Sequence, residues 1–261
     1  MTSAPDPLVR VSTTHGVTTL TLDSPRNRNA LSSALLGQLL DALGAAAADD
    51  DVRVVVLSHT GPVFSSGADL KETAAAYREG TVPVAMLGDV LAAIWECPKP
   101  VVARIGGPAR AGGLGLIAAA DVAICAQEAT FAFTEVRLGV IPAVISATVL
   151  PRLQPRAAAE LYLTGDTFDG RRAAEIGLVT TVTSAEALDE TVASYCLALV
   201  RGAPGALAGA KELLRRGSTE SFRAELARLR DLSVRYFHSE EGREGVAAFG
   251  EKRPARWVPG S

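Results

Sequence analysis

The chain is predicted to fold as an α/β domain built on a parallel sheet, followed by a helical C-terminal region. Three observations carry that expectation. Short β-branched runs alternate with helical patterns over the first 150 residues, and glycine-rich turns follow two of those runs. After about residue 150 helical spacing dominates, broken by one short β run at 178–182. Alternating strands and helices favour right-handed crossovers within one sheet. The expected division is an α/β core over 1–200 and a helical region over 201–261.

The elements follow in order. Residues 8–13 and 17–22 alternate apolar with polar side chains around His15 and Gly16, which predicts a hairpin. The stretch SPRNRN at 24–29 reads as a loop, and leucines at helical spacing predict a helix over 31–48. The run at 52–57 lacks polar alternation, as a strand buried on both faces would. A helix is predicted over 82–95, stopped by Pro98 and Pro100, and then a strand over 101–105. Residues 112–120 are small and apolar, suiting a buried helix, and strands are expected over 122–126 and 130–133. Further helices are predicted over 155–163, 170–176, 186–200, 204–216 and 221–237.

Composition narrows the function. The chain has 261 residues, 48% hydrophobic and 21% charged, the balance of a globular protein. A net charge of -3 supplies no basic field for nucleic acid, although a phosphorylated ligand held by local N–H groups is compatible with it. No apolar run reaches the eighteen residues of a membrane span. Residues 1–7 are polar and lack the features of a signal peptide, so a cytoplasmic location is expected. Cys97, Cys125 and Cys196 are odd in number and lie far apart, with no CxxC and no histidine cluster. Reduced, buried thiols are expected, with no metal.

Three segments have chemical character. The first, GPVFSSGADLKE at 61–72, follows the 52–57 strand, where α/β sheets place ligands. Gly67 lets a ligand approach the main chain, though an ordinary strand-to-helix loop has the same composition. The second, GGPARAGGLG at 106–115, starts a small apolar helix at Gly112, whose free N–H groups suit an oxygen that gains negative charge. Close helix packing explains such glycines equally well. The third is FAFTEVRLGVIP at 131–142, in which Glu135 ends an apolar strand. Burial there would raise its pKa toward the range of a general acid or base; capping a helix or pairing with Arg137 is the structural alternative.

Taken together and in this order, these segments resemble the enoyl-CoA hydratase/isomerase, or crotonase, family. The similarity extends through PRNRNAL at 25–31, CPKPV at 97–101, ADV at 120–122, LTG at 163–165, AEIGLV at 174–179 and the tail at 239–254. The resemblance implies a crotonase-like spiral of ββα units with a helical C-terminal region, acting on an acyl-CoA thioester. It implies no cofactor, since CoA is part of the substrate, and no nucleic-acid or membrane partner. A homotrimer or dimer of trimers is implied, with 201–261 as the trimerisation region. It further implies that the N–H groups of Ala68 and Gly112 hold the thioester oxygen while Glu135 moves protons. Arg28, Asn29, Ala30, Ser66, Ala68, Asp69, Leu70, Lys71 and Gly112 are implied to contact substrate or CoA.

One departure bears on the reaction. Many hydratases of the family carry a second glutamate, and its position falls on Gly115. A pair of carboxylates divides the two proton transfers of hydration; a single one must perform both, or shuttle one proton as an isomerase does. The pattern is closest to single-glutamate hydratases such as methylglutaconyl-CoA hydratase-like members. A 2-enoyl-CoA hydratase is therefore expected, the alternatives being a Δ3,Δ2-enoyl-CoA isomerase or an acyl-CoA-binding protein without hydratase activity. Arg110 is a candidate reader of a second carboxylate on the acyl chain, or else a surface arginine. Ser146 is a candidate water holder or helix cap.

Overall fold

The computed structural model describes residues 7–69, 71–73, 85–215 and 219–259. Leu70, residues 82–84 of one predicted helix and residue 216 of another lie outside them. Strands β1 (Val9–Thr14) and β2 (Val17–Leu22) pair antiparallel, with His15 and Gly16 at φ 51° and 77°. Two positive φ values in a two-residue loop match the twist of the flanking strands. The Gly16 carbonyl accepts from the N–H groups of Arg53 and Val54, docking the hairpin on β3 (Val54–His59).

Parallel pairing then continues through β4 (Val101–Ile105), β6 (Val122–Ala126) and β9 (Thr181–Thr183), giving the order β1-β2-β3-β4-β6-β9. Each crossover advances one place in the same direction, and the chain winds as a spiral. A second, small sheet joins β5 (Ala109–Arg110), β7 (Thr130–Ala132) and β8 (Phe168–Asp169). Every residue of β3 is buried: Val55 and Leu57 face one core, Val54 and Val56 the other. That two-sided burial is why the run shows no polar alternation.

Helix α1 (Ser33–Ala48) starts at Ser32, whose Oγ accepts from Leu35 N–H, and buries Leu35, Leu36, Leu39 and Leu43 along one face. With α2 (Ala85–Glu96), the wholly buried α3 (Gly112–Ala119) and α4 (Ala143–Val149), it builds the larger core. Beyond come α5 (Pro155–Thr164), α6 (Gly170–Glu175) and α7 (Leu188–Val200), the last covering the sheet's other face through Leu188, Val192 and Cys196. All three cysteines are buried and unpaired. None of the described helices alone is long and apolar enough to cross a membrane.

The C-terminal helices are α8 (Pro204–Leu214), α9 (Thr219–Phe237) and α10 (Glu240–Glu251). Buried Lys211 fixes α8 by pairing with Asp121 at 2.6 Å and donating to Lys99 O at 3.1 Å. Helix α9 folds back over α2 and α4 of its own chain, burying Leu226 and Leu229 and stacking Phe222 on Trp95 at 4.9 Å. No strand was predicted at β5 or β8, and the β run expected at 178–182 forms β9 at 181–183. Three further features depart from the sequence expectation. Strand β7 stops at Ala132, so Glu135 opens a 3-10 turn (Glu135–Leu138) rather than ending a strand. Helix α4 occupies a stretch for which no element was predicted. Helix α10 was hidden by its glycines, which serve contact: a Cβ at Gly245 would stand 2.1 Å from Leu138 O. That close approach seats α10 against the Glu135 turn.

Candidate active site

Ala68, Gly112 and Glu135 line one pocket, with a cavity volume of about 90 Å³. The loops bearing the first two are locked together. Leu31 N–H donates to Gly67 O at 2.8 Å, Leu31 bridges Ala68, and Ser66 N–H donates to Arg28 O at 3.0 Å. Ser65 is the hub: fully buried, its Oγ donates to Asn29 O and accepts from Gly67 N–H, while its carbonyl accepts from Arg110 N–H. Nothing in the sequence pattern singled it out. Gly67 sits at φ 86°, and a Cβ there would lie 3.0 Å from Ala111 Cβ and 3.1 Å from Arg110 O, so the two loops abut.

Ala111, at φ 47° and ψ -118°, is itself in a region that a residue with a Cβ rarely adopts. Such backbone strain costs about 1–3 kcal/mol and gathers at functional sites. Here it turns the chain so that α3 begins at Gly112. Among the described residues no acceptor pairs with the N–H of Ala68 or Gly112. Gly112 is the first residue of its helix, where the N–H has no partner within the helix. Two free donors thus border one pocket, suited to an oxygen that gains charge.

Across the pocket stands Glu135. Burial pushes its carboxyl up to about 7, from an ordinary 4.5. Oε2 is buried without a hydrogen-bond partner. The expected alternative partner, Arg137, pairs instead with Asp166 at 2.6 Å. A carboxyl balanced between its two forms at neutral pH can both take and return a proton.

Gly115 lies against the pocket-lining Ile145 and has no room for a side chain. A Cβ there would lie 2.5 Å from Ile145 Cγ2 and 3.4 Å from Leu91 Cδ2. Ile145, itself a pocket residue, fills the volume that a second carboxylate would need. Leu36, Leu87, Ile141 and Val144 continue an apolar wall, and Ser233 and Phe237 of α9 close it.

The other expected site residues divide into two groups. Arg28 and Lys71 are exposed, and Asp69 lines the pocket while its Oδ1 accepts from the N–H groups of Lys71 and Glu72. Asn29 and Ala30 are buried, and the Asn29 amide is spent inside the loop: Oδ1 accepts from Ser24 N–H, and Nδ2 donates to Thr60 O and Val63 O. Asn29 shapes the loop instead of presenting its side chain to a ligand. Ser66 Oγ donates to Asn27 O across 3.4 Å. Leu70 lies outside the described residues.

Arg110 does not reach into the pocket. Its guanidinium donates to Ala109 O, Thr130 O and Thr130 Oγ1, tying β5 to β7, which removes it as a reader of the acyl chain. Ser146 caps no helix terminus; it lies within α4, its Oγ donating back to Pro142 O at 2.7 Å and approaching the Tyr162 hydroxyl at 3.3 Å.

The spiral of crossovers, the second small sheet and the helical C-terminal region define a crotonase-fold protein. A model of the enoyl-CoA hydratase/isomerase family matches residues 12–259. The carnitinyl-CoA dehydratase of Citrobacter koseri is 34% identical over 256 residues, covering 94% of this chain and 96% of that protein. The 2,3-dehydroadipyl-CoA hydratase of Escherichia coli is 32% identical over 248 residues, with coverages of 93% and 95%. The crystal structure of an enoyl-CoA hydratase from Mycobacterium avium superposes with a TM-score of 0.87 at 44% identity, covering 97% of this chain and all of that one. The chain belongs to the enoyl-CoA hydratase/isomerase family, whose members act on acyl-CoA thioesters.

Proposed function

We propose that the protein is a 2-enoyl-CoA hydratase in which Ala68 and Gly112 hold the thioester oxygen and Glu135 alone transfers protons. The observation that carries this is the meeting, in one pocket, of two unpaired N–H groups and a buried carboxyl near neutrality. Glu135 takes a proton from water as the oxygen bonds to Cβ. The C=C electrons move onto the thioester oxygen, where each N–H is worth roughly 3 kcal/mol. Glu135 then returns the proton to Cα as the enolate collapses. The apolar wall and the engagement of Arg110 favour an uncharged acyl chain over a dicarboxylic one. Leu213 and Leu214, 88% and 83% exposed on α8, support 201–261 as a contact region between subunits of a homotrimer or dimer of trimers.

Ile145 favours a second reading. With the opposite position filled by hydrocarbon, a single carboxylate shuttling one proton between Cα and Cγ suffices for Δ3,Δ2 isomerisation. Incubating the protein with crotonyl-CoA and, separately, a 3-enoyl-CoA in heavy water distinguishes the two. Hydration yields 3-hydroxyacyl-CoA with one deuterium at Cα. Isomerisation instead yields 2-enoyl-CoA with no added water, carrying deuterium at Cγ only to the extent that the Glu135 carboxyl exchanges with solvent during the transfer. If neither substrate turns over while acyl-CoA binds tightly, the protein is a binding member of the family and the proposal fails.

A further inference from the structure

Glu135 has one oxygen to which the proposed chemistry assigns no partner. Oε2 is buried and unpartnered, yet a carboxylate in apolar surroundings needs donors in order to ionise. Behind it lies a polar pair that the mechanism does not use, Ser146 on α4 and Tyr162 on α5. The Tyr162 ring packs on Phe133, two residues before Glu135, with centroids 4.6 Å apart.

The protons can be counted. Ser146 Oγ has one hydrogen and two close neighbours, Pro142 O at 2.7 Å and the Tyr162 hydroxyl at 3.3 Å. Ser146 Oγ is the donor in both contacts, so Tyr162 accepts from Ser146 and its own phenolic proton is spent on neither. Burial and the nearby Glu135 keep the phenol's pKa above its usual value, so it remains a donor. The neighbouring charges are otherwise engaged: Asp69 with backbone N–H groups, Glu72 with Ser33, Arg137 with Asp166, and Glu244 of α10 with Arg253.

We infer that Tyr162 positions Glu135: its phenolic O–H, steadied by Ser146, donates to Oε2 through one bridging water. Oε1 is then left to exchange protons with substrate. This rests on the proposed role of Glu135, and the experiment is chosen to stand apart from it. The Glu135 carboxyl band in infrared difference spectra, identified by its loss in Glu135→Gln, is titrated without substrate. Tyr162→Phe keeps the Phe133 contact but removes the donor, and the midpoint is expected to rise by about one pH unit. Turnover at pH 7 should then fall about fivefold through kcat, with KM unchanged, and recover at pH 9. Ser146→Ala keeps the phenol and should shift the midpoint by less than half as much. 3-Fluorotyrosine at 162, a stronger donor of the same shape, should move it downward. An unchanged midpoint in Tyr162→Phe, or an upward shift with fluorotyrosine, overturns the inference whichever acyl-CoA reaction the protein performs.

Discussion

The two sides of the pocket are specified in different ways. On one side the groups offered to a ligand are backbone N–H donors, and what fixes them is main-chain geometry: Gly67 at φ 86°, the strained Ala111, and the start of α3 at Gly112. On the other side the offered group is a single side chain, Glu135, and its properties come from its surroundings. Burial raises its pKa, and Ile145 decides that no second carboxyl stands opposite. The backbone side therefore tolerates little change in residue type. The carboxyl side can be altered through one or two contacts, which gives one scaffold access to related reactions that share an enolate.

The largest effect should come from the carboxyl side. Glu135→Gln is expected to lower kcat about 10³-fold, within the range for loss of a general acid–base group. The same change should stabilise the fold, but only at higher pH. Because the folded-state pKa is raised, the native protein holds a proton between about pH 4.5 and 7 that the unfolded chain releases. Stability thus falls as pH rises through that window. Above it the wild type carries a penalty of up to about 3 kcal/mol that glutamine lacks. Urea unfolding at pH 5 and pH 8 measures this. A variant whose advantage does not grow with pH would show that Glu135 is not held in the apolar state described.

The backbone side is tested by Gly67→Ala. The new Cβ meets Ala111 and Arg110 O while φ remains positive, so the loop must move and carry Ala68 N–H with it. Loss of one aligned donor corresponds to about a 10²-fold fall in kcat/KM. The pH midpoint of activity should stay put, because Glu135 is untouched. A variant that shifted the midpoint instead would mean that the two sides are not independent.

The same division explains what could be seen in the sequence. Strands β2, β4 and β6 were legible because their patterns are local and their burial nearly complete or cleanly alternating, whereas β1, which buries only Val9, was legible through its turn at His15 and Gly16. The backbone turns at Gly67 and Gly112 were legible too, since glycines report main-chain geometry directly. The carboxyl side was only half legible. Glu135 stood out, but Ile145 and Tyr162 acquire meaning through contacts with residues distant in the chain, and both resemble ordinary helix residues. Arg110 misled for the same reason: its partner Thr130 lies on another strand, and only the pairing of β5 with β7 brings them together. Helix α10 was missed because its glycines, unfavourable for an isolated helix, are selected by contact with the Glu135 turn.

The smallest expected effect is the most diagnostic for how the scaffold sets its reaction. Gly115→Ala alone should cost about 1–3 kcal/mol, since its Cβ would overlap Ile145 Cγ2 at 2.5 Å. Ile145→Ala alone should also destabilise, by opening a cavity. Each change relieves the other, so the double variant is expected to be at least about 1 kcal/mol more stable than the sum predicts, a coupling that urea unfolding of the four proteins resolves. Strict additivity would mean that Ile145 does not occupy the space over Gly115. If the coupling is found, Gly115→Glu in an Ile145→Gly background becomes an informative variant. It would give Glu135 a partner carboxyl without touching Ala68 or Gly112, and a rise in the ratio of hydration to isomerisation would locate the choice of reaction in this single contact.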